Sequence, residues 1–153
     1  RRFEISNLSF YDQPRILIDD YGHHPLEIES NINAYKEEYP NKKVCMIFQP
    51  HRFTRTAQLF DDFVRVLSKT DLLILLDIYS ASEKPIRGIH SRAISETIKQ
   101  EGHKNVIYLQ SHDHVNDLIM DKIEDFDILV TQGAGSVSKV CESIKNKWTK
   151  SKK

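Results

Sequence analysis

The chain has 153 residues, the size of one domain able to bury a core of its own. Lys plus Arg and Asp plus Glu both total 22, so the formal net charge is zero and no global field favours nucleic acid or an anionic membrane. Hydrophobic residues make up 39%, yet no apolar run approaches the roughly 20 residues of a membrane span and no signal-peptide pattern is present, which predicts a cytoplasmic globular domain.

Phe3 to Leu8 alternates, with Phe3, Ile5 and Leu8 nearly in register, and predicts an edge strand. Asn7 to Gln13 is expected to turn it back into an antiparallel strand over Arg15 to Asp19. Strands and helices then alternate. Leu26 to Tyr39 reads as a helix, with Ile28, Ile32, Tyr35 and Tyr39 on one face. Val44 to Phe48 reads as a strand, and Leu59, Phe60, Phe63, Val64 and Leu67 form the stripe of a helix beginning near Thr54. Leu72 to Leu76 is continuously apolar, as expected of a strand covered on both faces. Ala93 to Ile98 predicts a helix ending near Gly102, Val106 to Leu109 a short strand, and Val115 to Ile123 another helix. Phe126 to Val130 is the last strand, and Val137 to Trp148 the last helix. This order predicts a Rossmann-like α/β fold: a mostly parallel sheet of about six strands, an antiparallel edge strand and helices on both faces. Cys45 and Cys141 lie in apolar patterns without motif spacing and read as small buried hydrophobes of a reducing compartment. Lys145 to Lys153 reads as a solvated, frayed basic end.

The turn Asp19-Asp20-Tyr21-Gly22-His23-His24-Pro25 follows a strand and precedes a helix. Ligands of open α/β sheets bind at the carboxyl ends of strands, and a turn serving only to reverse the chain would use Gly, Pro, Asn or Ser. A second polar knot, Gln49-Pro50-His51-Arg52-Phe53-Thr54-Arg55-Thr56, follows the next strand. Arg52 and Arg55, three apart, can converge on one anion through their forks. Together the turns predict one cleft for a charged ligand.

Other polar groups carry weaker expectations. Gly133-Ala134-Gly135-Ser136 opens the last helix and suits either close approach of an anion or a tight turn capped by Ser136. Adjacent His23 and His24 project differently, so a zinc site there is disfavoured, and His112-Asp113-His114 reads as a helix cap. Asp61 and Asp62 suit a solvated helix face. Asp77 to His90 is the longest irregular stretch, with Glu83, Lys84 and Arg87 suited equally to a solvated loop or a substrate role. No Ser–His–Asp or Cys–His triad and no G-x-x-x-x-G-K-[ST] loop is present, so a triphosphate would have to be held mainly by another domain.

At DDYGHHP (19–25), QPHRFTRT (49–56), LFDDF (59–63), Asp77-Ile78-Tyr79 and TQGAGS (131–136) the chain resembles the carboxy-terminal domain of the UDP-N-acetylmuramate–L-alanine ligases of the Mur ligase family. The resemblance covers nearly the whole chain. The related murein peptide ligase has a similar acidic-His-His-Pro turn, but with Phe-Ala where this chain has Tyr21-Gly22, and without the His51-Arg52 segment. The resemblance implies one α/β domain over residues 1–153, the third of a peptidoglycan ligase whose UDP-sugar domain and central ATPase domain are expected elsewhere. It implies a reaction in which Mg2+-ATP activates the muramoyl carboxylate as an acyl phosphate, which the amine of L-alanine attacks. Arg2, assisted by Arg1, would reach the ATP phosphates, and Asp20 the ribose hydroxyls. Tyr21 and His23 would lie near the nucleotide and amino-acid pocket. His51, Arg52 and Arg55 would receive the alanine carboxylate, and Ser136 would stand on the substrate side. Magnesium ligands are expected mainly in the central domain, and the domain alone is expected to be inactive. The rival expectation is a free-standing nucleotide- or anion-binding module.

Overall fold

The computed structural model describes residues 3–149, so Arg1 and Arg2 lie outside the described residues. Strands β1 (Phe3–Phe10) and β2 (Gln13–Asp20) form an antiparallel hairpin. Helix α1 (Pro25–Glu38), β3 (Val44–Phe48), the short helices α2 (Phe53–Gln58) and α3 (Phe60–Leu67), and β4 (Leu72–Leu76) follow. Then come α4 (Ser91–Gln100), β5 (Val106–Leu109), α5 (Val115–Asp121), β6 (Ile128–Gln132) and α6 (Val137–Trp148). The sheet has six strands in the order β1-β2-β6-β3-β4-β5, parallel except for the first pair.

Alternation along each strand sends its side chains to two cores. On one face Met46, Phe48, Leu73, Leu75 and Val130 pack with Ile28 and Ile32 of α1, Phe63 and Leu67 of α3, and Ile94 and Ile98 of α4. On the other, Leu17, Cys45, Ile47, Ile74 and Leu129 pack with Ile119 of α5 and Val140, Cys141 and Ile144 of α6. Both cysteines are free and buried, and burial raises both thiols, that of Cys141 to about 11.

The hairpin corrects two expectations. The reversal takes only Tyr11 and Asp12, with φ of 50° and 72°, and β1 runs on to Phe10. Both residues are in the left-handed conformation that a two-residue hairpin requires, although neither is glycine. Phe3 and Ile5 do not share a face with Leu8. They are each 52% exposed, whereas Leu8 and Phe10 are buried, with the Phe10 ring 4.7 Å from that of Trp148. Residues an odd number apart lie on opposite faces, so the even-numbered pair takes the core. The expected single helix after β3 is two, broken at Leu59 (φ −114°, ψ 22°). The last strand starts at Ile128 and includes Thr131 and Gln132, because β6 is central and is paired through its end with Asp20 on one side and Phe48 on the other.

Candidate functional site

Because β6 returns between β2 and β3, the carboxyl ends of β2, β6, β3 and β4 stand side by side. That reversal of strand order opens the place where open α/β sheets bind ligands. The acidic turn, the glycine turn and the basic turn all leave from it.

In the acidic turn the two carboxylates part. Asp19 is buried and accepts from Thr131 Oγ1 at 2.7 Å. Asp20, 7% exposed, accepts at Oδ1 from Gly22 N at 2.8 Å and from Gln132 Nε2 at 3.3 Å, and at Oδ2 from the Tyr35 hydroxyl at 3.4 Å. Gln132 Nε2 also donates to Gly22 O at 2.8 Å. The two histidines part as well. His24 is the N-cap of α1, its Nδ1 accepting from Leu26 N at 3.1 Å. Glu27 Oε1 accepts from His23 N at 2.9 Å and His24 N at 3.0 Å, and those backbone bonds hold its carboxyl below the usual range. His24 is thus spent on the fold, while the His23 ring extends towards the basic turn.

There it meets His51, with ring centroids 5.5 Å apart. His51 stacks on Tyr79 at 5.5 Å and 15°, and Tyr21 stands edge-on to His23 at 5.8 Å. Four rings from three strand ends therefore form one row. The backbone ties this row together: Arg52 N donates to Tyr79 O and Tyr79 N to Pro50 O, each at 2.8 Å. Arg55 Nη1 lies 3.4 Å from His51 Nδ1. A guanidinium only donates, so Nδ1 accepts and the ring proton belongs on Nε2. Burial, then the charges of His23, Arg55 and Arg52, lower the His51 pKa below its ordinary 6.5, which favours a neutral ring. Arg52 begins α2 at φ 77° with no capping bond of its own. Its side chain, 45% exposed, lies 3.7 Å from Glu83.

The third turn corrects one of the two readings given for it, capping by Ser136. That residue occupies the N-cap position of α6 in helical conformation and makes no side-chain capping bond. The cap comes from Gln49, whose Oε1 accepts from Val137 N at 2.9 Å while Nε2 donates to Ser136 Oγ at 3.0 Å and Asp77 O at 3.3 Å. The glycines have packing reasons. A Cβ on Gly133 (φ 134°) would lie 2.8 Å from Gln49 O, and one on Gly135 2.6 Å from Tyr79 Cγ.

The family described as Mur ligase, glutamate ligase domain matches residues 1–135. The chain belongs to that family. Its fold is similar to that of a UDP-N-acetylmuramate-alanine ligase from Thermotoga maritima, with TM-score 0.69 and 22% identity over 92% of this chain and 28% of that one. It is similar to a murein peptide ligase from Psychrobacter arcticus, with TM-score 0.69 and 14% identity over 95% of this chain and 28% of that one. It is also similar to a folylpolyglutamate synthase from Thermotoga maritima, with TM-score 0.58 and 18% identity over 95% of this chain and 30% of that one. The chain thus spans less than a third of these proteins' length.

Within this Mur ligase domain, His23, His51, Arg52 and Arg55 are brought together. Asp20 and Tyr21 line a shallow cleft of about 540 Å³ with Phe3, Leu26 and Asn31. Ser136 is joined to the basic turn through Gln49, whose Nε2 donates to Ser136 Oγ at 3.0 Å. A larger cavity of about 620 Å³ lies at the opposite end of the sheet, lined by Leu8, Pro14, Arg15 and Lys42 among others, and holds none of these groups. Among the described residues no three His, Cys, Asp or Glu are placed to share a metal ion, and no helix is long and apolar enough to cross a membrane. Asp20 lines the cleft, and its Oδ2 accepts one long bond, from the Tyr35 hydroxyl at 3.4 Å, and retains acceptor capacity. Gln49, Tyr79 and Gln132 stand within motifs legible in the sequence, which gave them no individual role. The signal was polarity at the end of a buried run: Gln49 directly follows the apolar residues of β3, and Gln132 follows those of β6 after Thr131.

Proposed function

We propose that the chain is the third domain of an ATP-dependent ligase of peptidoglycan synthesis, joining L-alanine to the carboxylate of UDP-N-acetylmuramate. The observation that carries it is the 51–55 turn, where two arginines flank a largely neutral imidazole facing His23 and Tyr79. A small amino acid needs an anion acceptor for its carboxylate, and an arginine fork meets a carboxylate in a bidentate way. The Tyr21-Gly22 pair and the His51-Arg52 segment favour the alanine-adding enzyme over the murein peptide ligase.

Asp20 would accept from the ribose hydroxyls of ATP, with Tyr21 beside it and Arg1 and Arg2 near the phosphates. When bound, Mg2+-ATP would supply the phosphoryl group that activates the carboxylate. This domain's own part is to orient the amino acid and to exclude water from the activated acid. Its partners would be the UDP-sugar and ATPase domains of the same cytoplasmic polypeptide.

The test is Arg52→Lys and Arg55→Lys in the complete polypeptide that carries this domain. Loss of the fork should raise the Michaelis constant for alanine at least about tenfold, roughly 1.4 kcal/mol, with much less change for ATP. An unchanged alanine constant would remove the arginines from the substrate site.

A further inference from the structure

Glu83 belongs to the segment between β4 and α4, yet its side chain caps a helix 30 residues earlier. Oε1 accepts from Phe53 N at 2.7 Å and Thr54 N at 3.0 Å, and Oε2 from Thr54 Oγ1 at 2.6 Å. Arg52 Nη1 lies 3.7 Å from Oε2. Helix α2 has no cap from its own sequence, because Arg52 occupies that position at φ 77°. The carboxylate is delivered by a tight turn closed by Glu83 N to Ser80 O at 3.0 Å. Its central residues, Ala81 and Ser82, have φ of 51° and 73° without being glycine. Such conformations are costly for residues with a Cβ and persist where surrounding structure enforces them. Immediately before that turn, Tyr79 is fastened to Pro50 and Arg52 by its backbone and to His51 by its ring. The segment therefore grips the basic turn at two points, Tyr79 at its start and Glu83 at its helix.

We propose that Glu83 is the positioning residue of the 51–55 turn, holding the start of α2 so that Arg52 and Arg55 are presented together to the amino-acid carboxylate. The inference rests on the amino-acid site proposed above. Glu83 touches no reacting atom. It acts through the backbone of Phe53 and Thr54 and through the charge of Arg52.

Three variants of the complete polypeptide test it: Glu83→Ala, Glu83→Gln and, as reference, Arg52→Lys. Glu83→Ala should raise the Michaelis constant for alanine about fivefold or more while the ATP constant stays within about twofold. Glu83→Gln retains a neutral acceptor for the two amides and should raise the alanine constant less, which also guards against a poorly folded alanine variant. If Arg52→Lys raises the alanine constant but neither Glu83 variant does, Glu83 is only a cap and the proposal is overturned. If Arg52→Lys itself changes nothing, the amino-acid reading has failed, and amide exchange decides on Glu83 separately. Faster exchange of Phe53 and Thr54 in Glu83→Ala, with β4 amides unchanged, keeps Glu83 as the residue that positions α2. Unchanged exchange at those two amides overturns it.

Discussion

Tyr79 fills the space beside Gly135 that any side chain there would need: a Cβ at 135 would stand 2.6 Å from Tyr79 Cγ and 2.7 Å from its Cβ. The Tyr79 ring also stacks on His51. The glycine turn before α6 therefore sets where the ring row can lie. No positive φ is involved at Gly135, so packing alone explains glycine there.

Gly135→Ala should thus destabilise by overpacking, at about 1–3 kcal/mol. Chemical denaturation checks the magnitude, and ring-proton shifts of His51 should move because its stacking partner is displaced. An alanine variant as stable as the parent, with unmoved His51 signals, would contradict the close approach.

The His51 imidazole should titrate below its ordinary value of 6.5, because burial and three neighbouring positive charges oppose protonation. In the unfolded chain it titrates near 6.5, so between the folded and unfolded midpoints the unfolded chain binds more protons. This contribution to stability is therefore full above about pH 6.5 and is lost as pH falls through the folded midpoint. An NMR titration of the ring proton checks it, and Arg55→Gln should move the midpoint upward by removing one of the charges. A midpoint at or above 6.5 in the parent protein would refute the electrostatic account.

Asp20 holds its own turn and is proposed to take the ribose hydroxyls of ATP, so its substitution should have two effects. In Asp20→Ala, Gly22 N loses its acceptor in a half-buried place, and Gln132 Nε2 keeps only its bond to Gly22 O. A buried donor left unsatisfied costs about 1–3 kcal/mol. The Michaelis constant for ATP should rise in the same variant. Tyr35→Phe separates the effects, since it removes only the 3.4 Å bond to Oδ2. It should leave the Gly22 turn intact and cost no more than about 1 kcal/mol. Full stability of Asp20→Ala would show that the turn does not depend on this carboxylate.

Periodicity made most of the fold legible. The runs at Val44 to Phe48 and Leu72 to Leu76 are strands with those same bounds, because their flanks switch abruptly to polar residues. The sequence could not show that the last strand returns to the centre of the sheet, since strand order depends on long-range pairing and leaves no local mark. That return is what unites the acidic, glycine and basic turns. Individual residues of the turns were legible by type, but their division of labour was not. His23 and His24 look alike in sequence, and only the helix axis decides that His24 caps while His23 joins the ring row. Glu83 was ambiguous for a related reason: its partners lie 30 residues away, beyond any local pattern.

Gln49 offers the sharpest test of how the basic turn is joined to the glycine turn and to the end of β4. It is 3% exposed and links Val137 N, Ser136 Oγ and Asp77 O. Gln49→Leu should leave Val137 N without an acceptor, at a cost of about 1–3 kcal/mol. Gln49→Glu is more discriminating. It keeps an acceptor for Val137 N but places a second oxygen against Asp77 O, where only a donor fits. The new carboxyl should hold its proton, so its folded pKa should be raised above the ordinary value of about 4.3. The folded state then binds more protons than the unfolded one, and the variant should lose stability as pH rises from about 4.3 through the folded midpoint. Denaturation of parent and variant across that range compares the two slopes. A Gln49→Glu protein whose stability follows the parent's pH dependence would mean that water reaches the group, and the buried link between the turns would have to be abandoned.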